Sequence, residues 1–125
     1  MAGDALDRAV IDALDESVEI EMLTPRRDGS TSRRPIWVVV VDDHAYVRSY
    51  HGPRGVWYRR AVADGRAAVE VAGRTVEVRV EPVAGAELNL RVSEAYRAKY
   101  GPRSPRPTEA MVSPPVDSTT LRLAA

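Results

Sequence analysis

His51, Arg54 and two tyrosines, Tyr50 and Tyr58, crowd into the stretch SYHGPRGVWYRR from Ser49 to Arg60. The same stretch holds Gly52, Gly55, Val56 and Trp57, with Pro53 between the glycines. Imidazole and phenol groups can donate or hold a proton. Gly52 and Gly55 let the backbone come close to a bound oxygen. A helix that begins near Gly55 leaves several N–H groups unpartnered at its positive end. With Arg54 and His51 as added donors, this is the chemistry of a phosphate seat. A Gly-Pro bend before a helix is also ordinary punctuation, and a lone loop histidine is ordinarily an exposed side chain. On local residues alone, both readings stand.

Other reactive residues are soon assigned. His44 follows Asp42 and Asp43 in a tight turn, but two adjacent carboxylates and one histidine lack converging further ligands, so no metal site is expected. Glu19 and Glu21 alternate on one solvent face of a strand and need no chemical role. No serine sits in a G-x-S-x-G elbow, and the absence of cysteine excludes disulfides and thiolate ligands. The net charge is zero, yet the arginines concentrate between Thr24 and Arg60, opposite an acidic N-terminal stretch. A basic middle in a neutral chain suits a small anionic ligand better than a polynucleotide.

The elements that would position these residues follow from periodicity. Asp4 can cap a helix within residues 1–16, with Leu6, Val10 and Leu14 on one face. Val18, Ile20 and Met22 read as a half-buried strand, and Asp28-Gly29 as the turn after it. Arg34 to Val41 reads as one strand apolar on both faces, with Pro35 at its start or at a bulge. HAYVRSY then places Tyr46, Arg48 and Tyr50 on one face. GVWYRRAVAD is a short helix ended by Gly65, and a hairpin turns at Ala72-Gly73. AELNLRVSEAYRAKY is a longer helix striped by Leu88, Val92, Tyr96 and Tyr100. Residues 101–115 are proline-rich and read as an extended loop before a last strand in TTLRLAA.

A chain of 125 residues without an internal repeat fits one domain, residues 1–125. The N-terminus is unlike a signal peptide and IWVVVV is too short to span a bilayer, so a cytoplasmic protein is expected. The predicted fold class is mainly β: six antiparallel strands in a small, partly open β-barrel with helices at its margins. So small a barrel fills its lumen with side chains, which puts any ligand outside, in a groove or between subunits.

Two motifs carry a wider likeness. The first is Thr24, Pro25, Arg26, Arg27, Asp28, Gly29, followed by a strand opening Pro35-Ile36. The second is a strand ending at Ser49, a loop with Gly52 and Gly55, then a helix starting Trp57-Tyr58. Their order resembles the flavin- and deazaflavin-binding split-barrel proteins, close to the deazaflavin-dependent nitroreductase group and, more narrowly, a short bacterial family related to it. The likeness runs from about Val18 to Tyr100.

The resemblance implies a homodimer that binds FMN or a deazaflavin coenzyme of the 8-hydroxy-5-deazaflavin type. It implies phosphate ligands at Arg26, Arg27 and Arg33 or Arg34, with Ser49, Gly52, Arg54, Gly55, Val56 and Trp57 completing the cofactor site. Arginine suits this work because its planar fork pairs bidentately with phosphate oxygens. Tyr50, His51 and Tyr58 become proton donors near the ring. Trp37, Tyr96 and Tyr100 become contacts for a small electrophilic substrate such as a quinone, enone or nitro compound. Helix packing explains Tyr96 and Tyr100 equally well.

Two departures support an alternative, a non-catalytic dimeric binding module without cofactor. Asp28 stands where relatives carry a small residue, and a carboxylate beside a phosphate is repulsive. Ser32 occupies the place of an expected arginine, with Arg33 displaced by one, and a one-residue shift on a strand turns a side chain to the other face. Neither a nucleic-acid partner nor a membrane span is expected.

Overall fold

The computed structural model describes residues 5–125. Helix α1 (Arg8–Glu16) is capped by Asp7, whose Oδ1 accepts the Val10 N–H at 2.9 Å. The cap expected at Asp4 lies outside the described residues. Leu6, Val10, Ile11 and Leu14 are buried, which is the inward face that the four-residue spacing defines.

Seven strands follow: β1 (Ile20–Pro25), β2 (Thr31–Ile36), β3 (Val39–Val41), β4 (His44–Val47), β5 (Arg66–Val71), β6 (Arg74–Pro82) and β7 (Leu121–Ala124). They form one antiparallel sheet in the order β2-β1-β5-β6-β7-β4-β3. The count is seven because the run expected as a single strand, Arg34 to Val41, breaks at Trp37-Val38. Its two pieces become the opposite edges of the sheet. Three residue steps from Ile36 to Val39 span at most about 11 Å, so the two edges must lie close and the sheet must curl into a half-barrel.

The break is satisfied by tertiary contacts. The Val38 N–H donates to Tyr100 Oη at 3.2 Å, and its carbonyl accepts from Lys99 Nζ at 2.8 Å. Pro35 sits inside β2 rather than at its start. An edge strand has N–H groups facing no neighbour, so a proline there breaks no ladder.

Helix α2 (Val56–Asp64) begins at Gly55 and ends at Gly65, whose φ of 72° is the left-handed closing conformation. Helix α3 (Ala86–Tyr100) buries Val92, Tyr96 and Tyr100. The proline-rich segment, expected as an extended loop, contains helix α4 (Pro105–Met111). Pro105 and Pro107 lie in its first turn, where N–H groups have no intrahelical partner, so neither interrupts it.

Two apolar clusters sit on the two faces of the curled sheet. The inner one joins α1 to Met22, Val38, Val47, Val69, Val78 and Leu123, with Trp57 and Ala61 of α2. The outer one packs Val39 and Tyr46 against Val92, Tyr96, Tyr100, Met111 and Val116. Strand alternation produces this split, since Val39 pairs with Tyr46 and Val40 with Ala45. No helix among the described residues is long and apolar enough to cross a membrane.

Candidate functional site

A cavity of about 550 Å³ opens where the junction after β2 faces the start of α2. Its lining brings together Arg34, Trp37, Tyr50, His51, Val56 and Trp57, all expected at a site from the sequence. The volume lies in the range of small-molecule sites. Trp37 is held by a parallel stack on Tyr100, with ring centroids 4.0 Å apart and planes inclined by 2°. Tyr100 is anchored in turn, donating from Oη to the Val18 carbonyl at 2.7 Å. Burial pushes the Tyr100 pKa up to about 12, with the nearby Glu19 acting in the same direction and the hydrogen bond to Val38 against it.

Six lining residues are not among those expected at a site: Glu19, Pro35, Ile36, Arg48, Pro107 and Met111. Glu19 is exposed, as its place on a solvent face implies, and it also borders the cavity. Pro107 and Met111 belong to α4, which periodicity did not reveal. Arg48 had only a face assignment, and it is the largest fully buried side chain. Its Nε donates to Thr120 Oγ1 at 2.8 Å, and Nη1 donates to Ser93 Oγ and the Met111 carbonyl at 2.9 Å each. Its Nη2 donates to the carbonyl and the Oδ1 of Asn89, both at 2.9 Å. One side chain thereby ties β4 to α3, α4 and the segment before β7.

Beside this cavity lies an open basic depression of about 620 Å³, lined by Arg26, Arg27, Arg59 and Arg60, with Asp28, Val56 and Ala63. Val56 lines both hollows, so they meet at the first residue of α2. Gly55 provides no side-chain cap there, and the first turn of α2 has no acidic residue. The amides of that turn that lack an intrahelical acceptor are therefore without a side-chain cap. In the turn after β1, Arg26 Nη1 donates to Ser30 Oγ at 3.1 Å. The Asp28 carboxylate accepts from the Ser30 N–H and hydroxyl at 2.9 and 2.6 Å. Those bonds hold its pKa below the usual carboxylate value, so it stays charged and offsets part of the arginine field.

The bend itself serves the fold before it serves a ligand. Gly52 has φ 75° and closes the turn from Ser49, with its N–H on the Ser49 carbonyl at 2.8 Å; the 3₁₀ turn that follows, Gly52–Arg54, is closed by the Gly55 N–H on the Gly52 carbonyl at 3.0 Å. A Cβ at Gly55 would collide with Ser49 Oγ, so the second glycine makes room for that buried serine. Ser49 is 1% exposed, donates its N–H to Thr119 Oγ1 at 2.9 Å, and has a hydroxyl with no hydrogen-bond partner. Arg54 is exposed and borders neither hollow.

The remaining site residues lie elsewhere. Arg33 turns to the other face of β2 and pairs with Glu21 at 2.8 Å and Glu70 at 3.0 Å, whereas Arg34 borders the cavity. Strand alternation accounts for the difference. Tyr58 packs on the inner core beside Trp57, and neither hollow includes it. Tyr96 is fully buried under Arg48, whose guanidinium carbon lies 5.5 Å from the ring centroid. Tyr100 meets the cavity only through Trp37. In the turn before β4, Asp42 pairs with Arg91 at 2.6 Å and Asp43 with Arg8 at 3.1 Å.

Known proteins share this architecture. A family model described as an uncharacterised protein conserved in bacteria (DUF2255) matches residues 10–123, and the chain belongs to that family. No curated protein matches it. Among solved structures, the conserved hypothetical protein Rv2991 of Mycobacterium tuberculosis superimposes with a TM-score of 0.67 at 16% identity, over 98% of this chain and 81% of that one. The haem storage protein HutZ of Vibrio cholerae gives 0.66 at 14%, over 96% and 89%. An F420-H2 dependent reductase, FDR-A, gives 0.62 at 14%, over 95% and 96%. At these identities the likeness is one of fold: a curled antiparallel half-barrel of the split-barrel kind.

Proposed function

We propose that this family member binds a flavin-type cofactor, FMN or a deazaflavin, with its ring in the aromatic cavity and its anionic tail in the basic depression. The observation that carries this reading is the meeting of the two hollows at Val56. One is walled by Trp37, Ile36, Trp57 and Met111, and the other by four arginines. A flat ring joined to a charged tail needs those two environments side by side.

Each residue then has a physical task. The indoles and Met111 exclude water and offer flat or polarisable surface to a ring. Arg26, Arg27, Arg59 and Arg60 supply forked donors for phosphate or carboxylate oxygens. The uncapped amides at the start of α2 add donors at the junction. When bound, such a ring supplies hydride chemistry, and the protein supplies orientation and charge. His51 and Tyr50 border the cavity, so they are the groups able to hand a proton to a reduced substrate.

Fold relatives include F420-dependent reductases and a haem storage protein, and the aromatic and basic pairing here favours the former. An oxidoreductase acting on a small quinone, enone or nitro compound is the reading these features support, with a homodimer as the assembly. Asp28 in the depression favours the second reading, a non-catalytic dimeric binding module that has lost the cofactor, because its charge weakens the hold on a tail.

Titrating the purified protein with FMN and with a deazaflavin coenzyme, followed by ring fluorescence, tests the cofactor. Retention of either at micromolar levels is expected, and retention of neither rules the cofactor out. Anaerobic mixing of a quinone with protein loaded with the reduced cofactor then tests turnover, with reoxidation of the ring accompanying reduction of the quinone.

A further inference from the structure

Arg48 is 1% exposed, and five hydrogen bonds from its guanidinium all end on neutral oxygens. Among the described residues, no carboxylate lies at ion-pairing distance from it. An arginine keeps its charge in a protein, and a charge taken out of water without a counter-charge is costly to a fold. Neutral oxygens hold the fork in place and no ion pair neutralises its charge; Asp117 favours that charge and Arg97 opposes it, both from beyond pairing distance. That charge backs onto the aromatic cavity: Arg48 and its acceptor Met111 both line it.

We infer that Arg48 sets the charge preference of the cavity, favouring a flat aromatic ligand with negative charge on the ring itself over one charged only in its tail. The inference rests on the cavity being a ring site, and for FMN it has a specific consequence. Two electrons and one proton convert the neutral oxidised ring into an anion, while the phosphate is unchanged. A fixed positive charge at the ring wall therefore binds the reduced form more tightly than the oxidised one. By linkage, it raises the reduction potential of the bound ring. The preference resists salt because Arg48 is buried, whereas the depression is open to counter-ions.

The test titrates the full chain anaerobically with oxidised FMN and with dithionite-reduced FMN. Reduced FMN is expected to bind roughly tenfold more tightly. That ratio should persist at about 1 M salt, where the screening length is about 3 Å, although both affinities fall. Arg48→Lys keeps the charge and the ratio, while Arg48→Gln abolishes the ratio, with circular dichroism confirming that each folds. If Arg48→Gln does not fold, the salt series on the native protein and on Arg48→Lys decides. Equal affinities for the two forms, or a ratio that salt erases, overturn the inference and leave the ring site standing.

If neither form of FMN binds, the cofactor reading falls and a second probe pair decides the inference. Anilinonaphthalene sulfonate carries its charge on the ring, and N-phenyl-naphthylamine is its uncharged counterpart. A preference for the sulfonate that survives high salt supports the role of Arg48. Equal binding, or no binding of either probe, ends it.

Discussion

Arg48 in the cavity wall and Arg26 in the neighbouring depression carry the same group but are held in different ways. Arg48 is immobilised by β4, α3, α4 and the segment before β7, through oxygens between 2.8 and 2.9 Å away. Arg26 is exposed on a turn and reaches only Ser30 and the Thr31 carbonyl, at 3.1 and 3.3 Å. A group fixed before the ligand arrives costs little further ordering on binding, whereas an exposed arginine gives up rotamer freedom for each contact. The inner wall of the cavity (Ile36, Arg48, Trp57 and Met111) is thus built as part of the core, and the depression as part of the surface. Shape and ring charge are governed by the first; affinity for a tail, and its sensitivity to salt, by the second.

The largest effect that can break this contrast comes from Arg48→Met. It leaves Ser93, Asn89, Thr120 and the Met111 carbonyl without their donor, in a buried setting. A loss of about 3–5 kcal/mol in unfolding free energy is expected, measured by urea denaturation. A loss below about 1 kcal/mol would mean that the clamp is not holding the wall.

Tyr100→Phe is next. It removes the hydroxyl that serves the Val38 N–H and the Val18 carbonyl but keeps the ring under Trp37, so about 1–3 kcal/mol is expected. It also has a pH signature. The Tyr100 pKa is raised to about 12 in the folded state from an ordinary 10.0. Above pH 10 the unfolded chain therefore loses this proton before the native one does. Its contribution is complete below pH 10 and disappears as the pH rises towards 12. Lys99, depressed by burial below its ordinary 10.5, acts in the opposite sense over its own range. Comparing native protein with Tyr100→Phe isolates the tyrosine: the variant should show a shallower alkaline loss in urea midpoint.

The double change Arg26→Ala with Arg27→Ala should leave the unfolding midpoint unchanged and weaken FMN binding roughly tenfold at low salt. At about 1 M salt that difference should vanish. A drop in stability instead would show the depression to be structural. Arg33→Ala is the smallest. Its ion pairs with Glu21 and Glu70 are exposed, so neither the unfolding midpoint nor FMN affinity should change measurably. An affinity loss as large as that of the Arg26/Arg27 pair would show that the displaced arginine reaches the ligand after all.

These regions were not equally legible beforehand. The cavity's own face of the bend was, because a glycine-bearing turn before a helix has a local signature, and Tyr50, His51, Val56 and Trp57 do border one hollow. The roles of the glycines were not, since Ser49 packs beneath Gly55 from outside that signature. Helix α4 escaped because prolines normally argue against a helix, and only their placement in the first turn makes them tolerable. Arg48 gave no local sign at all, since its acceptors lie more than forty positions away along the chain.

What the sequence determined by itself was everything that short range decides: the inward stripe of α1, the Ala72-Gly73 hairpin, the ends of α2 at Gly55 and Gly65, and the alternation that sends Arg33 and Arg34 to opposite faces. Spacing and turn chemistry act over a few residues, so they can be read in order. Only the tertiary structure decided where Arg34 to Val41 would break. A peptide at Val38 can leave the ladder only if Tyr100 and Lys99 arrive to bond it. The same packing decided which arginine became part of the core, because a buried polar group is tolerable only where distant oxygens converge on it.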